Sequence, residues 1–172
     1  MCIQDTPRHM TEAQIQYYLK AIDRSGKEYI VEIIKYDVED DICILRSTSG
    51  ELEPNYIRIS VKAPEYAEHV YNLAAPAGVI KGDMVPVFEG MFFGKVVEPL
   101  YSEKEVALYS IPAIGGSSGS PVLNAKGELI GMVHSVHYRF HHITLSATYE
   151  RLWNFLNAGH TQIIRCLKQC RH

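Results

Sequence analysis

Along the 172-residue chain, short apolar-rich runs with strand character recur between polar, turn-forming clusters. Alternation with a period of two sends successive side chains to opposite faces of an extended strand. Residues 15–22, IQYYLKAI, lead through DRSGK into 28–37, EYIVEIIKYD, which reads as a hairpin rich in Ile, Val and Tyr. DICILRS at 41–47 follows and ends at TSGELEPN. The same character returns in HVYNLAAPAG, MVPVFEGMFFGKVVEPL, EVALYSI, SPVLN and ELIGMVHSVH. Glycines and prolines punctuate these runs, where they break strands rather than interrupt helices. TEAQ at 11–14 matches a capping box and predicts a single helical turn. Clear helical spacing is confined to SATYERLWNFLNAG at 146–159, with Leu152, Phe155 and Leu156 on one side, Trp153 beside them and Gly159 as a stop. TQIIRCLKQCRH at 161–172 extends that helix or frays from it. Many evenly spaced strands with one terminal helix predict an all-β fold, a barrel or a sandwich.

Length and charge narrow the function classes. A chain of this size suits one domain, or two small halves sharing a core. The formal net charge of −3 gives no clustered basic footprint for nucleic acid. Arg165, Lys168 and Arg171 near the end read as a solvated face. No apolar run reaches the roughly 18 residues of a membrane span, and MCIQDTPRH has no signal-peptide core. The expected location is therefore the cytoplasm, of a cell or of an infected host, with a virion as a further possibility. Cys2, Cys43, Cys166 and Cys170 are spaced like no disulfide framework, so reduced thiols are expected. His160, Cys166, Cys170 and His172 lack the paired-knuckle spacing of structural zinc, and neither a metal nor another cofactor is expected.

The stretch GGSSGSP at 115–121 carries the chemistry. A Gly/Ser run alone would read as a flexible connector. Here it runs straight into VLNAKGELIGMV, a hairpin with its turn at NAKGE, so a turn presenting a side chain is the better reading. GSSGSP resembles the nucleophile motif G-x-S-G-[GS]-P of chymotrypsin-fold serine proteases, and GELIGMV strengthens the likeness to Deg-type proteases and glutamyl endopeptidases of bacteria. The resemblance implies two β-barrel halves and nominates Ser118 as nucleophile, with the N–H groups of Gly116 and Ser118 as an oxyanion hole. A serine hydroxyl needs a base and an orienting acid. The family order is His, Asp, Ser. DICIL matches the strand that the acid opens, nominating Asp41, and TPRHM supplies a T-x-x-H context for His9, which stands 32 residues earlier. Asp37 and Asp40 then read as turn and solvated charges.

Further implications concern boundaries and specificity. Residues 1–62 correspond to a first barrel half that carries His9 and Asp41. Residues 63–146 correspond to a second half that carries Ser118, and 147–172 to a helix and tail. Relatives place two strands before the base, where this chain has eight residues, so the first half is expected to lack its N-terminal strands, through an open barrel or a start lying upstream. Ser117 stands where zymogens carry an acid, which implies no activation by a new N-terminus. Pro112 occupies the pocket-floor place, which argues against an Arg or Lys preference. His134 sits one position beyond the Gly-x-His of glutamyl endopeptidases and lines the pocket or faces away from it. Val136 adds apolar wall. His137, His141 and His142 read as loop residues. The implied function is an endopeptidase, of bacterial or phage type, acting on an extended polypeptide through an acyl-enzyme. The rival is a catalytically inactive protease fold kept for binding or structure.

Overall fold

The computed structural model describes residues 19–158 except 24, 53–55, 75–84, 98–103 and 141. His9, TEAQ at 11–14, His141, Gly159 and the tail at 161–172 lie outside the described residues. Two compact units emerge. One spans Pro54–Asn154, and the other joins the chain up to Glu53 with the chain from Phe155 onward.

The Pro54–Asn154 unit is a closed barrel. Its strands are β4 (His69–Leu73), β5 (Val87–Val97), β6 (Glu105–Tyr109), β7 (Pro121–Leu123), β8 (Leu129–Val136) and β9 (Thr144–Ala147). They close in the order β4-β5-β6-β9-β8-β7, all neighbours antiparallel. The seam between β4 and β7 is short: Tyr71 faces Leu123 and Asn72 faces Val122. Val70, Phe92, Tyr109, Ile111, Val122, Ile130 and Val133 fill the interior. Phe92 packs on Tyr109 at 5.4 Å between ring centres. Burial pushes the Tyr109 phenol far above its usual range, with the charges of Glu150 and Glu68 adding to the effect.

Where the described residues cover them, the apolar-rich runs became strands, whereas β9 was not among the expected ones. All four of its residues are buried; pairing with β6 and β8 covers only its edges, so both of its faces are covered as well. A strand covered on both faces loses the alternation that reveals one. The helix accordingly starts later than the spacing implied. Ser146 and Ala147 belong to β9, and α1 runs Tyr149–Asn157. Leu152 N–H donates to the Thr148 carbonyl at 3.0 Å in its first turn.

The other unit holds a three-stranded antiparallel sheet, β1 (Lys20–Ile22), β2 (Glu28–Asp37) and β3 (Ile42–Ser47), in the order β1-β2-β3. Asp23 shapes the β1–β2 turn. Its Oδ1 accepts from Ser25 Oγ at 2.6 Å, Ser25 N–H at 2.8 Å and Lys27 N–H at 3.0 Å. The Ser25 hydroxyl leads the causes that hold this carboxyl below its usual range. Chain continuity passes between the units inside α1, after Asn154. On the barrel side Tyr149 Oη donates to the Ser60 carbonyl at 2.7 Å. Beyond the crossing, Lys35 Nζ donates to the carbonyls of Phe155 and Ala158, and lies 4.5 Å from the Phe155 ring centre. A cation is thus supplied to the helix C-terminus, whose last turn has no basic residue of its own.

Cys43 corrects one expectation. It is disulfide-bonded rather than reduced, and the other three cysteines lie outside the described residues. Spacing could not reveal this, since a disulfide depends on how Cβ atoms meet in space. No helix among the described residues is long and apolar enough to cross a membrane.

Candidate active site

Residues 113–121, AIGGSSGSP, bear no charged side chain, and their shape comes from backbone bonds. Ser117 N–H donates to the Ile114 carbonyl at 2.9 Å, and Ile114 N–H donates to Ser117 Oγ at 3.3 Å. Ser117 is buried, its side chain spent on this local loop. Gly116 and Gly119 adopt φ of +95° and +86°, in the left-handed region that a side chain makes costly. Glycine is therefore needed on both sides of the serine pair. Ser118 itself is exposed.

The turn is fastened to β8. Gly119 N–H donates to the Val133 carbonyl at 2.7 Å, and Val133 N–H returns a bond to the Ser120 carbonyl at 2.9 Å. Ser118 Oγ donates to the His134 carbonyl at 3.2 Å. The amides of Ser117, Gly119 and Ser120 are thus all committed to carbonyls. Those of Gly116 and Ser118 donate to no carbonyl among the described residues. This alternation leaves two N–H groups available on either side of one peptide unit.

His134 sits at an irregularity. Val133 faces Ser146 and Ser135 faces Leu145, so His134 is the extra residue of a bulge. A bulge re-aims side chains locally, which is why a one-residue offset in the sequence could not settle its face. Val136 is half-buried at the end of β8. Pro112 is exposed, between buried Ile111 and Ala113. The Ile111 carbonyl accepts from Thr144 Oγ1 at 2.6 Å, which ties that loop to β9. Beyond β8, the His137 ring stacks on Tyr138 at 5.1 Å and meets Phe140 at 5.2 Å. His137 is more structured than a plain loop residue, and its Nδ1 accepts from Arg139 N–H at 3.2 Å.

Asp41 belongs to the other unit. It closes the turn before β3 at φ +50°, unusual for a non-glycine residue, and is exposed. Asp37 takes the turn role expected of it, its Oδ1 accepting from the N–H groups of Glu39 at 2.9 Å and Asp40 at 3.0 Å. Asp40 departs from the expectation of a solvated charge: it is buried, at 8% relative exposure. His9, the nominated base, lies outside the described residues.

The fold agrees with the comparisons. A family model described as a trypsin-like peptidase domain matches residues 4–132, three quarters of the chain. The chain belongs to the trypsin-like peptidase family. Membership places it among the serine-type endopeptidases. The matched span contains His9, Asp41 and Ser118 and stops short of His134. Among solved structures, the peptidase resembles Rv3671c from M. tuberculosis H37Rv in an inactive form, with TM-score 0.65 and 18% identity over 81% of this chain and 69% of that one. It also resembles the active form of Rv3671c protease from M. tuberculosis, with TM-score 0.66 and 18% identity over 81% and 63%. A third likeness is the HtrA-type protease AlgW with decapeptide, at 0.63 and 16% over 81% and 44%. At such identities the likenesses show the fold. The peptidase spans less than half of the AlgW chain. No match is found among the curated proteins.

One residue of this site was not nominated from the sequence. Asn72 of β4 is fully buried and reaches the turn with its side chain. A polar residue at an inward position of the apolar run VYNLA was the available signal.

Proposed function

We propose that the chain is a serine endopeptidase in which Ser118 is the nucleophile, His9 the general base and acid, and Asp41 the residue that orients the imidazole. On this reading Ser118 Oγ attacks the scissile carbonyl carbon while His9 accepts the hydroxyl proton. The negative charge that develops on the carbonyl oxygen is met by the N–H groups of Gly116 and Ser118. Collapse breaks the C–N bond, the leaving amine takes the proton from His9, and the acyl group remains as an ester on Ser118. Water then attacks the ester, giving its proton to His9, and Ser118 regains a proton as the acid product leaves. The reaction needs neither metal nor organic cofactor.

The observation that carries this reading is the bonding of the turn. Ser117, Gly119 and Ser120 spend their amides internally, whereas those of Gly116 and Ser118 donate to no carbonyl among the described residues and lie beside an exposed hydroxyl. Donors held in place before reaction cost no reorganisation when charge develops. In the resting state the Ser118 hydroxyl donates to the His134 carbonyl, a bond that must yield to the base as attack begins. The substrate is a polypeptide in extended form, with Pro112, His134 and Val136 lining the pocket for its side chain at the cleaved bond. The first barrel half, 1–62, brings base and acid, and the second, 63–146, brings the nucleophile.

A fluorophosphonate probe tests the reading. Covalent labelling of the parent protein and none of Ser118→Ala is the expected result. A parent that resists the probe would point instead to a protease fold kept for contacts.

A further inference from the structure

We infer that Asn72 is a positioning residue for the nucleophile turn, holding residues 120–121 to β4 so that Ser118 is presented in register with its oxyanion donors. This rests on the reading of Ser118 as nucleophile. Asn72 has 0% relative exposure. Its Nδ2 donates twice, to Ser120 Oγ at 2.8 Å and to the Pro121 carbonyl at 2.9 Å. An amide nitrogen carries two hydrogens, and both are used.

The place of these bonds explains the need for them. The β4–β7 seam that closes the barrel is short, and its pair nearest the turn is Asn72 with Val122. The next residue toward the turn is Pro121, which has no N–H to offer a ladder. Backbone pairing therefore cannot continue onto the turn. The Asn72 side chain takes over where it stops, binding the proline carbonyl and then the hydroxyl one residue closer to Ser118. On the opposite side the turn is gripped by β8 through Val133. Two strands thus hold residues 119–121, one by backbone and one by a side chain.

The other end of the same side chain argues against a purely stabilising role. Asn72 Oδ1 is buried and accepts no hydrogen bond among the described residues. Burying an unpaired carbonyl opposes folding, and an apolar residue of similar size would avoid that cost. A side chain that strains the barrel interior at one end while fixing a reactive turn at the other fits a trade of stability for geometry.

The test compares second-order labelling rates with a fluorophosphonate probe, alongside thermal unfolding. Asn72→Leu is expected to label about ten- to a hundredfold more slowly than the parent, the scale of a misplaced reacting group, with a melting temperature close to the parent's, because relief of the buried Oδ1 offsets the two lost donations. Asn72→Asp adds a pH signature. Its buried carboxyl can donate to the turn when neutral, but ionised it donates nothing and faces the Pro121 carbonyl. The labelling rate of Asn72→Asp relative to the parent therefore rises several-fold from about pH 8 to about pH 6, the direction that favours a neutral buried acid. Ser120→Ala, which removes one acceptor at the surface of the turn, gives a smaller loss in the same direction and stands as the decisive variant if both Asn72 substitutions unfold. Parent-like labelling by Ser120→Ala and by every folded Asn72 variant, or a pH-independent ratio for Asn72→Asp, overturns the positioning role while leaving Ser118 as nucleophile. A parent that does not label overturns both.

Discussion

The barrel and the three-stranded sheet are woven from strands of similar apolar-rich character, yet they bury their side chains very differently. In the barrel, Val70, Tyr109, Ile111, Val122 and Leu145 are fully buried, and closure leaves no edge strand unpaired. In the sheet, burial among the described apolar residues is confined to Tyr29, Val31 and Ile42, while Ile22, Ile30, Val38 and Leu45 are exposed. The nominated nucleophile stands on the well-buried scaffold, and the nominated acid stands on the sparer one. A reactive turn needs donors held to fractions of an ångström, which a closed barrel with interlocked polar bonds can provide. An orienting acid needs chiefly to lie beside its histidine.

The largest effect that could break this comparison is catalytic. Asp41→Asn should lower hydrolysis of a fluorescein-labelled casein by about 10,000-fold, the loss that follows when the orienting acid of a triad can no longer fix the imidazole tautomer. Asp40→Asn in the same assay sharpens the assignment, because its carboxylate is the more buried of the two. Loss of hydrolysis in the Asp40 variant but not in the Asp41 variant would transfer the role to Asp40.

A second test reads stability with one substitution made in both units. Leu145→Ala, at 0% exposure in the barrel, should cost about 2–5 kcal/mol in urea unfolding. Leu45→Ala, at 41% exposure on β3, should cost less than about 1 kcal/mol. Equal costs would mean that the sheet buries more than its exposure implies.

The smallest effect is electrostatic. Burial opposes the charged form of Glu150, but the Lys95 ammonium, its own backbone N–H and Thr148 outweigh that and hold the carboxyl below its usual value. The unfolded chain therefore takes up a proton at higher pH than the native one does. Stability from this group is present above the ordinary carboxylate range and is lost as pH falls through the lower native value. Glu150→Gln should thus lose less melting temperature than the parent between neutral pH and about pH 3, by a small margin because the pair is solvent-screened. A parent and variant that decline in parallel would remove the contribution.

How far the sequence was readable depended on whether the information lay in neighbouring residues. EYIVEIIKYD, ICILRS and LIGMVHSV are strands because β-branched and other apolar residues crowd into short runs bounded by turn residues, and Gly116 and Gly119 of GGSSGSP take the left-handed backbone of a turn. By contrast, β9 is buried on both faces, the Cys43 disulfide needs two distant chain segments, and the burial of Asp40 needs a structure packed around it. His134 was ambiguous because a bulge, which exists only where two strands pair, decides how that stretch is aimed.

Strand period, turn chemistry and the order of His9, Asp41 and Ser118 were thus set by the sequence alone, since each is a property of adjacent residues or of their order along the chain. Barrel closure at the β4–β7 seam, the two amides that meet no carbonyl among the described residues and the grip of Asn72 on a turn 48 residues away were decided by tertiary structure. A hydrogen bond or a buried face requires a partner, and only folding determines which distant residue that partner is.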